Sequence, residues 1–294
     1  MRAPASAIKI LVTGANGQLG KELQVIAASY PLFEFIFLSK EDLSIHHHEE
    51  VENFFKTTEP THCINCAAYT AVDKAESEKD NAFLVNGESV GTLAAVCKTT
   101  NTKFIHISTD YVFDGNSSKP LKEDDATIPV NVYGASKLKG EILAMQNNRE
   151  TIIIRTAWLY SAFGNNFVKT MIRLMRDKDS INVVSDQIGS PTYAADLAKV
   201  IMQIISSGKF VAGIYHYSNE GEISWYEFAS AIKELTGSKC QVNPIPASQY
   251  PTPAKRPHYS LLDKTKIKTV YGIEIPDWKS SLTNCIDQLI KKEV

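Results

Sequence analysis

Tyr133-Gly134-Ala135-Ser136-Lys137 sets a phenol and an ammonium four residues apart. If this segment opens a helix, both side chains share one face. An ammonium beside a phenol favours the phenolate, so the spacing predicts a Tyr133 pKa drawn down from about 10 and a side chain able to donate a proton. Upstream, Ser108-Thr109-Asp110-Tyr111-Val112-Phe113-Asp114-Gly115 follows directly on the apolar run 103–107. That order reads as a buried strand ending in hydroxyls and a carboxylate, and a hydroxyl delivered from the strand end would complete a carbonyl-polarising pair. Tyr-x-x-x-Lys alone is common by chance and on its own reads more readily as a solvated helix face. Its setting decides between the two.

The setting begins with residues 8–13 (Ile-Lys-Ile-Leu-Val-Thr), a short buried strand, followed by Gly14-Ala15-Asn16-Gly17-Gln18-Leu19-Gly20 and a helix over 21–29. Strand, glycine-rich turn and helix are the order a dinucleotide site requires. Glycines let the backbone approach a pyrophosphate, and the helix start offers unpaired N–H groups and partial positive charge. The spacing is Gly-x-x-Gly-x-x-Gly rather than Gly-x-Gly-x-x-Gly. A second strand over 33–38 ends in Ser39-Lys40-Glu41-Asp42. An acid there would hold the ribose 2′-hydroxyl of NAD, and a base would accommodate the NADP phosphate. Serine and lysine come first, which favours NADPH, with NADH the alternative.

The elements continue in alternation. A helix over 49–57 leads to an apolar third strand containing Cys63-Ile64-Asn65-Cys66, whose end, Ala67-Ala68-Tyr69-Thr70, is small enough to leave room for a ligand. A helix over 82–99 carries Asn86 in its interior, either as a site residue or as a tie between segments. Further strands are expected at 151–157, 181–184 and 215–217, and further helices at 168–175, 194–206 and 225–236, the last capped by Ser224. Pro244, Pro246, Pro251, Pro253 and Pro257 then punctuate a long irregular stretch, of the kind that often serves as a binding loop. The pattern predicts an α/β protein, a Rossmann-type doubly wound parallel sheet with a smaller C-terminal α/β substrate domain. Residues 1–157 form the dinucleotide-binding domain and 158–294 mainly the substrate domain, with segments such as about 186–206 returning to the first.

Composition bounds the partners. With 294 residues there is ample chain for a core, and 44% hydrophobic with 22% charged residues is ordinary globular usage. A net charge of -2 gives no electrostatic case for nucleic acid or an anionic membrane. The first seven residues are too short and too weakly apolar for a secretory signal, and no apolar run approaches the roughly eighteen residues of a membrane span. Five cysteines do not suggest a disulfide framework, so a cytoplasmic location is expected. His46-His47-His48 lacks spaced partner ligands and reads as a solvated helix entry. Cys63 and Cys66 have redox or zinc spacing without a second pair and read as core residues.

The glycine turn, the segment 108–115 and Tyr133/Lys137 together resemble the extended short-chain dehydrogenase/reductases, over Lys9 to about Trp278. Stretches outside the cofactor fold are similar to sugar-nucleotide reductases within that family: Ala71-Val72-Asp73-Lys74-Ala75-Glu76, Gly164-Asn165-Asn166-Phe167, Asp186-Gln187-x-Gly189-x-Pro191-Thr192 and Tyr250-Pro251-Thr252-Pro253-Ala254-x-Arg256-Pro257. The resemblance implies hydride transfer to the C4 ketone of a 4-keto-6-deoxy sugar nucleotide. By position, Tyr133 donates the proton, Lys137 binds the nicotinamide ribose and Thr109 hydrogen-bonds the C4 oxygen. Gly14, Asn16, Gly17, Gln18, Leu19, Gly20, Ser39, Lys40, Asp42, Leu43, Cys66, Ala67, Ala68, Tyr69 and Thr70 join Tyr133 and Lys137 as expected coenzyme contacts. Val72, Thr109, Asp110, Trp158, Asn165, Asn166 and Arg256 are the expected substrate contacts.

Some relatives form a metal-bridged dimer with glutamates from the helix after Pro-Thr. Here that helix opens Ala194-Ala195-Asp196, so no metal is expected and a homodimer stays open. Another reductase or epimerase on the same scaffold is the alternative enzyme. A non-catalytic subunit similar to the regulatory subunit of methionine adenosyltransferase is the alternative of another class. The Ser39-Lys40 reading predicts a kcat/KM for NADPH above that for NADH, and steady-state kinetics with both coenzymes checks it; a strong NADH preference removes the Lys40 argument.

Overall fold

The computed structural model describes residues 8–293. The segment 1–7, where the sequence argues against a secretory signal, lies outside the described residues. Apolar runs without polar alternation suit strands covered on both faces. Five of them, β1 (Ile8–Thr13), β2 (Phe33–Leu38), β3 (His62–Asn65), β4 (Lys103–Thr109) and β5 (Thr151–Thr156), join the strand Gly213–Tyr217 in one all-parallel sheet. The spatial order is Gly213–Tyr217, β5, β4, β3, β1, β2. The chain moves from β1 to β2 on one side and then crosses to β3 on the other, so its direction of progress reverses between β1 and β3. In open α/β sheets the crevice outside the carboxyl ends at such a reversal is where ligands bind.

Alternating side chains divide the core into two layers. Ile10, Val12, Ile64, Ile105, Ile152 and Ile154 pack with Leu19, Leu23 and the apolar face of helix Ala194–Ser206. Leu11, Cys63, Phe104 and Ile153 pack with Val51, Phe55, Leu93 and Ala144 on the opposite face. The sheet is therefore doubly wound. A smaller C-terminal core joins Val168, Met171, Phe228, Ile232 and Leu282 beneath the parallel pair Ser180–Val184 and Gln241–Ile245. Its helix Trp225–Thr236 starts from Ser224, with Glu227 completing a reciprocal capping box. Among the described residues, no helix is long and apolar enough to cross a membrane.

Two elements differ from the sequence expectation. The first helix runs Gln18–Ala27 and starts three residues before Lys21. Gly20 lies inside its first turn because a Cβ there would come within 2.5 Å of the Gly14 carbonyl oxygen; its smallness serves packing, not a break. The helix expected over 82–99 is three pieces: Lys79–Phe83, a π turn over Leu84–Glu88, and Ser89–Thr99. The π turn carries Asn86, whose buried amide accepts from Tyr69 N–H at 2.8 Å and donates to the Tyr69 carbonyl and to Ser136 Oγ, both at 3.0 Å. Asn86 thus ties the loop after β3 to the helix that carries Tyr133.

That helix, Val132–Asn147, starts from Asn131, whose side chain accepts from Gly134 N–H at 2.7 Å. It is pinned to the sheet by a buried ion pair: Glu141 accepts from Arg155 of β5 at 2.7 and 2.9 Å and from Ser108 Oγ of β4 at 2.5 Å. Both charged side chains are almost wholly buried, at 2% and 3% exposure, and the guanidinium also lies over the Phe113 ring. Removing one partner strands the other without solvent. Arg155→Ala is expected to cost about 3–5 kcal/mol in urea unfolding, and Arg155→Met combined with Glu141→Leu to recover most of that loss.

Candidate active site

The carboxyl ends of β1, β3, β4 and β5 open into a cleft of about 840 Å³. Its floor at one end is the glycine turn. Gly14 has φ +68°, and a Cβ there would lie 2.6 Å from Ala67 N, so only glycine lets this turn close on the end of β3. Gly17 caps the first helix without a side-chain hydrogen bond, leaving the first-turn amides to a ligand. Gly14, Asn16, Gly17, Gln18, Leu19 and Gly20 all line the cleft, as do Ser39, Lys40 and Leu43 at the end of β2 and Cys66, Ala67, Ala68, Tyr69, Thr70 and Val72 after β3. The glycine cradle, the open helix start and an exposed lysine beyond β2 fit a dinucleotide with a 2′-phosphate. Asp42 does not line the cleft: its carboxylate accepts from Ser39 N–H at 2.9 Å and Ser39 Oγ at 2.7 Å, and these bonds hold its pKa below the usual range. It shapes the turn at the end of β2.

At the other end of the same cleft lie Thr109, Asp110, Tyr133 and Lys137. Lys137 is buried, with its Nζ donating to the Ile107 carbonyl at 2.7 Å, and burial lowers its pKa to about 8. The expected acidification of Tyr133 by Lys137 is not what the structure gives. Burial pushes the Tyr133 pKa up to about 12, opposed by a hydrogen bond with Thr109, because the lysine nitrogen is bonded to the strand and not to the phenol. Tyr133 is thus held as a phenol, the form a proton donor needs. Thr109 Oγ1 accepts from Tyr111 N–H at 3.2 Å and donates to Asp110 Oδ1 at 3.0 Å, which fixes its rotamer at the strand end. Burial pushes the Asp110 pKa up to about 6.

The substrate-side expectations divide. Trp158 and Asn165 line the cleft. Trp158 adopts φ +48°, an uncommon conformation for a bulky residue, and its ring stacks on Trp225 at 3.7 Å. Asn166 does not line it: its side chain caps helix Phe167–Asp177, accepting from Lys169 N–H at 3.1 Å, and donates to Gln18 Oε1 at 2.9 Å. The substrate-side loop and the glycine turn are tied together by that bond. Arg256 also stands back from the wall, in a two-pronged pair with Asp73 at 2.5 and 2.8 Å. The pair fastens the proline-rich stretch to the helix Val72–Ala75.

Sequence reasoning missed several wall residues. Tyr111 packs edge-on against Tyr133, with centroids 5.5 Å apart, and was legible as part of the segment 108–115. Glu41 and His46, from the stretches 39–42 and 46–48, line the cleft as well, and so do Ser44, Ile45, Asn81 and Val85, which no local motif marks. The three histidines take separate polar partners: His46 meets Ser44, His47 meets Glu50 and His48 approaches Glu52, while the His46 and His47 rings meet edge-on with centroids 4.4 Å apart. Among the described residues, no group of three or more His, Cys, Asp or Glu is placed to hold a metal ion. Cys63 lies in the core, and Cys66 at the cleft has its thiol pKa raised by burial.

The RmlD substrate binding domain model matches residues 8–291. A dTDP-4-dehydrorhamnose reductase of Burkholderia thailandensis is 40% identical over 97% of this chain and 100% of its own length, and one of Aggregatibacter actinomycetemcomitans is 43% identical over 94% and 97%. This chain belongs to the dTDP-4-dehydrorhamnose reductase family. It is therefore an oxidoreductase, and the cleft described above is the candidate active site of that family's fold. The Clostridium acetobutylicum dTDP-4-dehydrorhamnose reductase structure superposes with TM-score 0.92 at 42% identity, covering 96% of this chain and 99% of that one. The Bacillus anthracis dTDP-4-dehydrorhamnose reductase, solved in complex with NADP, does so with TM-score 0.92 at 38% identity, covering 95% and 99%.

Asp110 carries a pH signature. Its folded pKa of about 6 lies above the value of 3.8 for a free side chain, so the folded chain keeps a proton that the unfolded chain releases. That contribution to stability is present below about pH 4 and lost as pH rises through about 6. Asp110→Asn removes the titration, and Tm measured from pH 4 to 6 should fall less steeply than in the parent.

Proposed function

We propose that this chain reduces the C4 ketone of dTDP-4-dehydro-6-deoxy-L-mannose (dTDP-4-dehydrorhamnose) to dTDP-L-rhamnose with NADPH, and that Tyr133 gives the proton. The observation that carries this reading is the meeting of the Tyr133 phenol and the Thr109 hydroxyl at one end of a cleft whose other end is the glycine cradle. Gly14, Gly17 and the first-turn amides would hold the pyrophosphate, and Ser39 and Lys40 the 2′-phosphate. When bound, NADPH supplies the hydride.

The protein's own part is electrostatic and positional. Tyr133 presents its hydroxyl to the ketone oxygen, where negative charge grows as the carbonyl is reduced, and Thr109 joins it by turning its one hydrogen from Asp110 Oδ1 to that oxygen. A phenol of pKa about 12 is fully protonated at neutral pH, yet more acidic than the alcohol being formed, so the proton passes downhill from Tyr133 to the alkoxide. The Lys137 ammonium, held by the Ile107 carbonyl, would bind the coenzyme ribose. Trp158 and Asn165 line the sugar side, Asp110 braces Thr109, and Arg256 with Asp73 fastens the proline-rich stretch to the segment after β3. Cytoplasmic residence is part of the proposal, supported by an odd count of five cysteines, which suits no closed disulfide framework.

NADPH oxidation on adding dTDP-4-dehydrorhamnose tests the reaction directly. Tyr133→Phe should lower kcat about 10²–10⁴-fold while the NADPH dissociation constant stays nearly unchanged. A mutant that kept most of its turnover would show that the proton comes from elsewhere.

A further inference from the structure

Thr13, Asn65 and His106 stand opposite one another on the adjacent strands β1, β3 and β4, in register across the sheet. All three are buried, and a buried polar row in a Rossmann core costs free energy unless every group is paired. The row leads to Lys137. We propose that Asn65 and His106 are positioning residues for Lys137, with His106 turning an N–H rather than a lone pair toward the lysine nitrogen and so setting the pH at which the active site loses its ammonium. The inference rests on the reductase reading above and concerns the same site.

The direction of every bond in the row follows from one donor that cannot reverse. Ala67 N–H, a backbone amide, donates to Asn65 Oδ1 at 3.2 Å, and Thr13 Oγ1 donates to the same oxygen at 2.7 Å. The Asn65 amide nitrogen must then be the atom that faces His106 Nδ1 at 3.0 Å, and it has only hydrogens to offer. His106 Nδ1 is therefore an acceptor without a proton. A neutral imidazole with a bare Nδ1 carries its hydrogen on Nε2, and Nε2 lies 3.4 Å from Lys137 Nζ. An N–H aimed at a cationic ammonium is repulsive, while the same N–H aimed at an uncharged amine finds its lone pair. Imidazolium is disfavoured at His106 by full burial and by the lysine itself, which keeps the ring neutral.

The other groups facing Lys137 act in the opposite sense. Glu141, one turn on along the same helix, favours the ammonium, but its carboxylate is shared with Arg155 and Ser108. Cys66, at the end of β3, favours it as well. The Ile107 carbonyl accepts one lysine hydrogen whatever the charge. Against these stand burial and the His106 N–H. The row begins at Ala67, which lines the coenzyme end of the cleft and packs against Gly14, so one chain of hydrogen bonds links the cradle to the lysine.

The first test reads the ring directly. In ¹⁵N-histidine-labelled protein, the ring nitrogen shifts of His106 should report the neutral Nε2–H tautomer throughout pH 6–9; an imidazolium or an Nδ1–H tautomer in that range overturns the assignment. The second reads kcat against pH from 6 to 10 with NADPH and dTDP-4-dehydrorhamnose. Asn65→Asp keeps the shape and the acceptor for Ala67 and Thr13 but offers His106 Nδ1 a carboxylate, which moves the ring hydrogen to Nδ1 and turns the Nε2 lone pair to Lys137. Its alkaline limb should rise by about one pH unit, with the tautomer inverted in the ¹⁵N spectrum. His106→Phe, which removes the N–H, should shift the limb the same way. Lower stability with an unmoved limb would leave Asn65 and His106 as core residues only and overturn the proposal. Absence of turnover in the parent protein overturns the reductase reading, whereas parent turnover with an unmoved limb in Asn65→Asp overturns the positioning role alone.

Discussion

A lysine nitrogen bonded to the carbonyl of Ile107, within two residues of the end of β4, is the contact on which the site depends. It requires the helix Val132–Asn147 to lie close against β4, and that closeness is secured behind it by the Glu141–Arg155–Ser108 network. A buried ammonium and a buried ion pair are both costly to desolvate, and neither would be tolerated with a loose partner. Each is satisfied by fixed atoms of the sheet. The rigidity this imposes carries forward to Tyr133, one turn before Lys137, and so to the spot where the ketone oxygen would sit.

The sheet contributes as much as the helix. Parallel strands bring their carboxyl ends to one edge, and the reversal between β1 and β3 opens that edge into a cleft. The glycine turn after β1 and the hydroxyl-bearing end of β4 therefore face the same space, though nearly a hundred residues of chain separate them. The C-terminal core supplies the remaining wall through Trp158 and Asn165, and it is joined to the coenzyme end by the bond between Asn166 and Gln18.

Much of this was legible in the sequence because it is local. The strand Phe33–Leu38 and the helices Ala194–Ser206 and Trp225–Thr236 fall where composition and caps place them. The π turn at Asn86 was not legible, since the three bonds it serves go to Tyr69 and Ser136, distant in sequence. Asp42 and Asn166 have the chemistry of ligand contacts but satisfy nearby backbone amides instead, and residue type alone cannot separate those uses. The Tyr133 pKa is a similar case. Four-residue spacing guarantees a shared helix face, but burial and the competing Ile107 carbonyl decide which way the phenol shifts.

The fastening between Asp73 and Arg256 answers to the solvent in a way the buried pair does not. It joins the proline-rich stretch to the segment after β3 through charges that are partly exposed, at 42% and 23%. Ions in solution screen such a pair far more than they screen the Glu141–Arg155 pair within the core. Ionic strength therefore acts on this outer tie and far less on the machinery: added salt loosens the hold between the proline-rich stretch and the segment after β3 while leaving the reacting groups in their places.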